Sequence, residues 1–261
     1  MRYYQSMKES MELFLTESAA EKESAGMKVR HCFSFGSWYH PERMGFGLLK
    51  VLNECFLGPG KESGAQPRDN MEILSIPLRG KLEHADSLGN HTILHPGEAQ
   101  LMSTGTGMFH FEKNPDLRET LQMIQIWILP VKRNFPPKYQ KVTFSDKGIV
   151  DRFFALAGPE SSTAPIKLRQ NAFVWLGKFE NGKELRLPDT QNGFGFFIFV
   201  VSGKISIFDL ILGCSDAAGI RNGTSTIVKT QNDSLILLMQ LPLQHEITYG
   251  KYGIQAGKVG A

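Results

Sequence analysis

Residues 71–103 read MEILSIPLRGKLEHADSLGNHTILHPGEAQLMS, and the fold is decided by this stretch. Short apolar runs are cut at close intervals by glycine, proline and asparagine. Met71–Leu78 has the composition of a strand and closes at Arg79-Gly80. Lys81–Ala85 follows, and the turn Asp86-Ser87-Leu88-Gly89-Asn90 predicts a hairpin with Thr92–Leu94. His95-Pro96-Gly97 marks another turn before Ala99–Ser103. Downstream, Thr120–Leu129 (TLQMIQIWIL) alternates polar and apolar side chains until Pro130 stops it. Turns spaced about 8–12 residues apart are the pattern of an antiparallel barrel or sandwich. Helix signal is confined to Ser18–Gly26 and Asp146–Ala157.

The strand rhythm breaks between Asp146 and Arg169, where IVDRFFALAG and the polar loop Pro159–Pro165 predict a linker or inter-domain helix. It resumes at Ala172–Phe179 and Gly195–Val201, turns at Ser202-Gly203-Lys204, and continues through Ile205–Leu212. Thr226–Val228, Leu235–Gln240 and Glu246–Tyr249 complete the pattern. Two β units flanking one break predict two stacked barrels, residues 1–142 and 143–261.

The composition fits a folded, water-soluble chain: 41% hydrophobic and 21% charged residues over 261 positions. With 29 basic against 26 acidic side chains, the formal charge of +3 is too small and too evenly spread to predict nucleic acid or a membrane surface as partner. Cys32, Cys55 and Cys214 show no metal or redox spacing and read as three ordinary thiols of a reducing compartment. The first residues lack a basic start followed by an apolar core, so no secretory signal is predicted. The apolar runs Phe194–Val201 and Leu235–Leu238 are strand-length, too short to span a bilayer. A cytoplasmic protein is expected. No nucleophile elbow, P-loop or dinucleotide fingerprint is present.

The chemistry converges on Met108-Phe109-His110-Phe111-Glu112. In a strand, residues i and i+2 point to one face, so His110 and Glu112 project together. An imidazole and a carboxylate suit a first-row transition metal. The same pair also reads as a hydrogen-bonded polar couple in a barrel mouth. Trp127 and His84 are candidate pocket residues, as are the phenylalanines of Phe33–Phe35 and Phe109–Phe111. His31, His40, His91, His95 and His245 are scattered and read as exposed or capped side chains.

A wider pattern surrounds that pair. Gly60, then Gln66-Pro67-Arg68, then Glu72 and a strand closing at Gly80 follow the first cupin motif; Gly89, Gly97 and His110/Glu112 follow the second. His31-Cys32-Phe33-Ser34-Phe35, Met44-Gly45-Phe46, Glu83–Asn90, Gly97–Ser103, Gly105-Thr106-Gly107, Gln125-Ile126-Trp127 and Pro137–Gln140 lie around them, in order. From about Glu12 to Gln140 the chain resembles the pirin family; beyond Val142 it resembles pirins only in length and strand pattern.

This resemblance implies an all-β bicupin, two tandem double-stranded β-helix (jelly-roll) barrels. The first would hold one metal, usually iron, through three histidines and one glutamate. Bacterial pirin relatives can act as quercetin 2,3-dioxygenases, and eukaryotic ones are described as redox-responsive nuclear cofactors. Carried over by position, His110 and Glu112 stand at the last two ligands, and Gln66 and Arg68 replace the first two. A glutamine oxygen is a weak ligand for iron, and arginine does not deprotonate to become one. The expected cofactor is therefore none, or a weakly bound transition metal.

Arg68 is expected to fork onto the Glu112 carboxylate in place of the cation. Three readings of function stay open: a metal-free protein that binds a small apolar or aromatic ligand or regulates through contacts with a protein partner, a quercetinase-type dioxygenase, and a structural interaction module.

Overall fold

A computed structural model describes residues 11–188, 190, 192–221 and 226–244; the strand expected at Glu246–Tyr249, and His245, lie outside them. Among the described residues, the regular secondary structure is almost all β. The first half supplies β1 (Met11–Phe14), β2 (Ala20–Ser24), β3 (Met27–His31), β4 (Leu49–Leu57), β5 (Gln66–Arg68) and β6 (Glu72–Arg79). It continues with β7 (Leu82–Asp86), β8 (His91–Leu94), β9 (Glu98–Ser103), β10 (Met108–Lys113), β11 (Leu121–Ile128) and β12 (Lys138–Thr143). The second half supplies β13 (Phe154–Pro159), β14 (Ile166–Leu168), β15 (Phe173–Phe179), β16 (Glu184–Arg186) and β17 (Phe194–Ser202). After these come β18 (Ile205–Ile207), β19 (Leu210–Leu212), β20 (Ala217–Arg221), β21 (Ile227–Thr230) and β22 (Ser234–Pro242).

Each half closes a seven-stranded sheet against a four-stranded one. The first unit pairs β12-β9-β6-β11-β4-β3-β2 with β5-β10-β7-β8, and the second pairs β1-β20-β17-β22-β15-β13-β14 with β16-β21-β18-β19. The two tandem barrels expected from the turn spacing are both present. β1 crosses between them: Met11 to Phe14 run antiparallel to Ile220 to Ala217. These four residues lie within the 1–142 range expected for the first unit but pair into the second unit's large sheet.

The helix expectations fail for local reasons. Ala20–Ser24 is a strand because Ala25 and Gly26, both at positive φ, turn it back onto β3, where Glu21 pairs with Lys28 at 2.6 Å. Of Asp146–Ala157, only Asp146–Ile149 forms a helical turn, capped by Ser145 Oγ accepting from the Gly148 amide at 3.0 Å. Asp151 at φ 52° ends it, and Phe154 starts a strand on β15. The single strand expected over Ile205–Leu212 folds back at Phe208 (φ 56°) into β18 and β19.

The two large sheets pack face to face through one apolar layer, including Phe14, Phe46 and Ile126 from one half and Val174, Phe197 and Met239 from the other. Gly219 lets the Phe46 ring lie directly on β20: a Cβ there would sit 2.4 Å from the ring. This layer fixes the direction of every side chain on β6 and β11. Leu74, Ile76, Ile124, Ile126 and Ile128 face the second unit, so the alternating Ser75, Gln125 and Trp127 face into the first barrel.

Candidate functional site

β10 is the axis of the site. Its residue His110 lies opposite Gln66 on β5 and Asp86 on β7, Glu112 lies opposite His84, and Met108 lies opposite Arg68. These side chains share the inner face of the small sheet. From the large sheet, Ser75 Oγ and Gln125 Nε2 donate to the two Glu112 oxygens at 3.2 and 2.9 Å. Gln125 is held in turn by Trp127 Nε1, which donates to its Oε1 at 2.9 Å. Burial pushes the Glu112 carboxyl up, against the pull of Ser75, Gln125 and the Arg68 charge.

His110 is only 4% exposed, and neither ring nitrogen has a hydrogen-bond partner among the described residues. Burial, reinforced by the Arg68 charge, lowers its pKa to about 4, so the ring is neutral near pH 7. His84 is fully buried, with Nε2 3.1 Å from Asp86 Oδ2 and Nδ1 unpartnered among the described residues. Its ring stacks on Tyr139 at 5.0 Å and lies 6.1 Å from the His110 ring.

Arg68 does not fork onto Glu112. Its Nη2 donates to Gln66 Oε1 and its Nη1 to the Pro67 carbonyl at 2.9 Å, while its guanidinium carbon lies 4.8 Å over the Trp127 ring. Strand register explains the correction. Arg68 is paired with Met108, four residues before Glu112, a separation of about 13 Å along a strand. The Trp127 face is nearer and accepts a cation, and the Glu112 oxygens already have two donors.

Beside Arg68 opens a cavity of about 90 Å³, whose lining includes His31, Phe35, Gln66, Arg68, Gln125 and Trp127. The sequence reading missed His31, which was expected to be exposed or capped. It is 4% exposed, Nδ1 lies 2.9 Å from Asn53 Oδ1, and its ring stacks on Phe35 at 5.3 Å. A usable signal existed, because His31 opens the pirin-like HCFSF segment. The aromatic walls are corrected in part: Phe35 and Trp127 line the cavity, Phe33 belongs to the layer between the barrels, and Phe109 is 59% exposed. His91 pairs with Glu83 at 2.8 Å on the surface, and His95 is exposed.

The residues do not fit the metal of the cupin pattern. Of the four positions that the resemblance assigns to ligands, two carry Gln66, whose oxygen accepts from Arg68, and Arg68 itself. No three His, Cys, Asp or Glu side chains among the described residues come together as a metal site. On the outer face of the second unit's small sheet, a hollow of about 180 Å³ is lined, among the described residues, by Ser206, Phe208, Ile227 and Lys229, with neither imidazole nor carboxylate among them.

Two barrels of this construction, with a polar cluster inside the first, define a bicupin. The pirin family profile matches residues 14–128, and one described as the quercetinase C-terminal cupin domain matches residues 155–241. The chain belongs to the pirin family. Its second half, legible in sequence only as a strand pattern, matches as a cupin domain in its own right. Quercetin 2,3-dioxygenase of Escherichia coli K12 is 33% identical over 215 residues, covering 81% of this chain and 90% of that protein. The crystal structure of YhhW from Escherichia coli superposes with a TM-score of 0.85 at 29% identity, covering 91% of this chain and 100% of that one. Bacterial pirin YhhW in complex with nickel(II) gives 0.84 at 29% identity, covering 89% and 99%. Among the described residues no helix is long and apolar enough to cross a membrane.

Proposed function

We propose that this pirin-family bicupin binds a small organic molecule in its N-terminal barrel without a resident metal, and acts through that binding rather than through oxygen chemistry. One observation carries the reading: the first two ligand positions hold Gln66 and Arg68 bonded to each other, with the Arg68 cation seated on Trp127. A fixed positive charge beside the metal position opposes a metal cation. The cavity next to it keeps the aromatic and amide lining that a small ligand needs. A protein partner that reads the bound state, in the cytoplasm, belongs to the same proposal.

A second reading, metal-dependent oxygenation of a flavonol, is favoured by the unpartnered nitrogens of His110 and by the name of the Escherichia coli relative. It would rest on His110 and Glu112 alone, and Glu112 already takes hydrogen bonds from Ser75 and Gln125. It also needs a larger pocket. The cavity of about 90 Å³ is smaller than the ~150 Å³ that accommodates benzene, so a flavonol enters only if the mouth opens.

Elemental mass spectrometry tests the proposal, on protein purified without chelator and again after incubation with ferrous iron. Metal well below one atom per chain in both samples is expected. Near-stoichiometric metal accompanied by consumption of quercetin would overturn it.

A further inference from the structure

We infer that the cavity beside Arg68 is a carboxylate site, built for an acid of about acetate size or for the carboxylate head of a slightly longer one. This rests on the reading of a metal-free binding barrel and adds to it the chemical class of the ligand.

The argument begins with the edges of the guanidinium. Side-on recognition of a carboxylate uses Nε and Nη2, which present two parallel N–H groups matching two oxygens. In this structure Nη2 donates to Gln66 Oε1, while Nε is buried with no hydrogen-bond partner among the described residues. A carboxamide offers that edge one oxygen where a carboxylate offers two. Half of the fork is filled from within the chain and half is not. The internal acid that would have completed it, Glu112, is engaged elsewhere by Ser75 and Gln125.

Gln66 is also the right residue to yield. It is half-buried on a three-residue strand, and its amide nitrogen donates to the Ser63 carbonyl at a long 3.3 Å. If the carboxamide swings away, the freed edge opens beside a cavity that Gln66, Arg68 and Gln125 all line. The rest of the wall is partly aliphatic, from Val29, Leu57 and Met123, and partly aromatic, where Trp127 and Phe35 meet edge to face at 5.4 Å and His31 stacks on Phe35. The Glu112 carboxyl, already bonded to Ser75 and Gln125, also lines it. Burial lowers the His31 pKa, leaving that ring neutral near pH 7, so Arg68 is the cation of this lining.

Size narrows the ligand. A space of about 90 Å³ is smaller than the ~150 Å³ cavity that takes benzene, so it encloses a group smaller than benzene. Acetate has that size and chemistry. Benzoate places its carboxylate on Arg68 only by leaving its ring in the mouth.

The test is calorimetric titration of sodium acetate into the full chain at constant ionic strength. Sodium chloride and sodium benzoate serve as the comparison anions, and the metal content of the same sample is measured in parallel. Acetate should bind more tightly than either comparison anion. Arg68→Lys keeps the charge but loses the fork, and should weaken acetate by about tenfold, the loss of one charged hydrogen bond. Gln66→Ala removes the internal competitor and should tighten acetate by about threefold or more, a gain that a misfolded variant does not give. Acetate binding no tighter than chloride, unchanged affinity in Arg68→Lys, or weaker affinity in Gln66→Ala would each overturn the carboxylate site. Metal-free protein that ignores acetate removes this inference alone, whereas stoichiometric metal with quercetin consumption removes the binding-barrel reading beneath it.

Discussion

Restoring histidine at positions 66 and 68 should rebuild a metal centre, and the size of the gain follows from the site. Structural metal sites with four protein ligands contribute roughly 10–16 kcal/mol, so each ligand is worth about 3 kcal/mol if shared equally. Two recovered ligands amount to about 6 kcal/mol, or about four decades in Kd. The register supports the geometry. Position 66 lies directly across from His110, where paired Cβ atoms stand about 5 Å apart, and position 68 points to the same face two residues on. Arg68→His also removes the cation that opposes a metal ion, so the gain should not fall below the ligand arithmetic. The assay is competitive titration of nickel(II) or ferrous iron against a chromophoric chelator, for the parent chain and for Gln66→His/Arg68→His. A further His110→Ala in the double variant should abolish the gain. If the parent binds metal as tightly as the double variant, the site was never degenerate. If the folded double variant binds no better than the parent, the assignment of Gln66 and Arg68 to ligand positions is wrong.

Burial raises the carboxyl of Glu72 from 4.5 to about 7, despite bonds from the Arg169 amide and Ser103 Oγ. The native state therefore keeps this proton to higher pH than the unfolded chain does. As far as this group is concerned, stability should be highest below pH 4.5, fall by about 3 kcal/mol between pH 4.5 and 7, and level off above 7. Thermal melts between pH 5 and 8 should show this slope in the parent and lose it in Glu72→Gln. Gly219→Ala should cost about 1–3 kcal/mol in chemical unfolding, because the new methyl meets the Phe46 ring, and Phe46→Leu in the same chain should recover part of the loss. Gln125→Leu should destabilise by about 1–3 kcal/mol, since it strips one donor from buried Glu112 and the acceptor from Trp127. An unchanged denaturation midpoint in Gln125→Leu would refute the network drawn around Glu112.

The fold was legible because turn chemistry is local. The hairpin at Asp86–Asn90 and the stop at Pro130 follow from a few neighbouring residues, and both are present as read. What was not legible depended on partners far along the chain. Ala20–Ser24 carries helix-forming residues but becomes a strand once β3 lies beside it, and Met11–Phe14 joins a sheet made by residues more than two hundred positions later. The site shows the same division. Alternation placed His110 and Glu112 on one face, but which of them Arg68 would meet was set by cross-strand register, one pairing step at a time. The burial of His31 was set by its place opposite Asn53 on β4.

The orphaned polar groups argue against a vestigial barrel. Arg68 Nε, His84 Nδ1 and both nitrogens of His110 are buried without hydrogen-bond partners among the described residues, and each such group costs about 1–3 kcal/mol when nothing satisfies it. A module kept only for its shape would be more stable with leucine or methionine at these positions, as Met102 and Met108 already are in the same barrel. The layer between the barrels holds a continuous apolar packing with no such groups. Four of the six such atoms among the described residues lie on β5, β7 and β10, with Gln100 Nε2 on β9 of the same barrel and Thr226 Oγ1 in the second unit. The three imidazole nitrogens suit a metal ion as well as a hydrogen-bonding ligand, whereas Arg68 Nε–H suits only an acceptor, so the proposed carboxylate rests on Arg68.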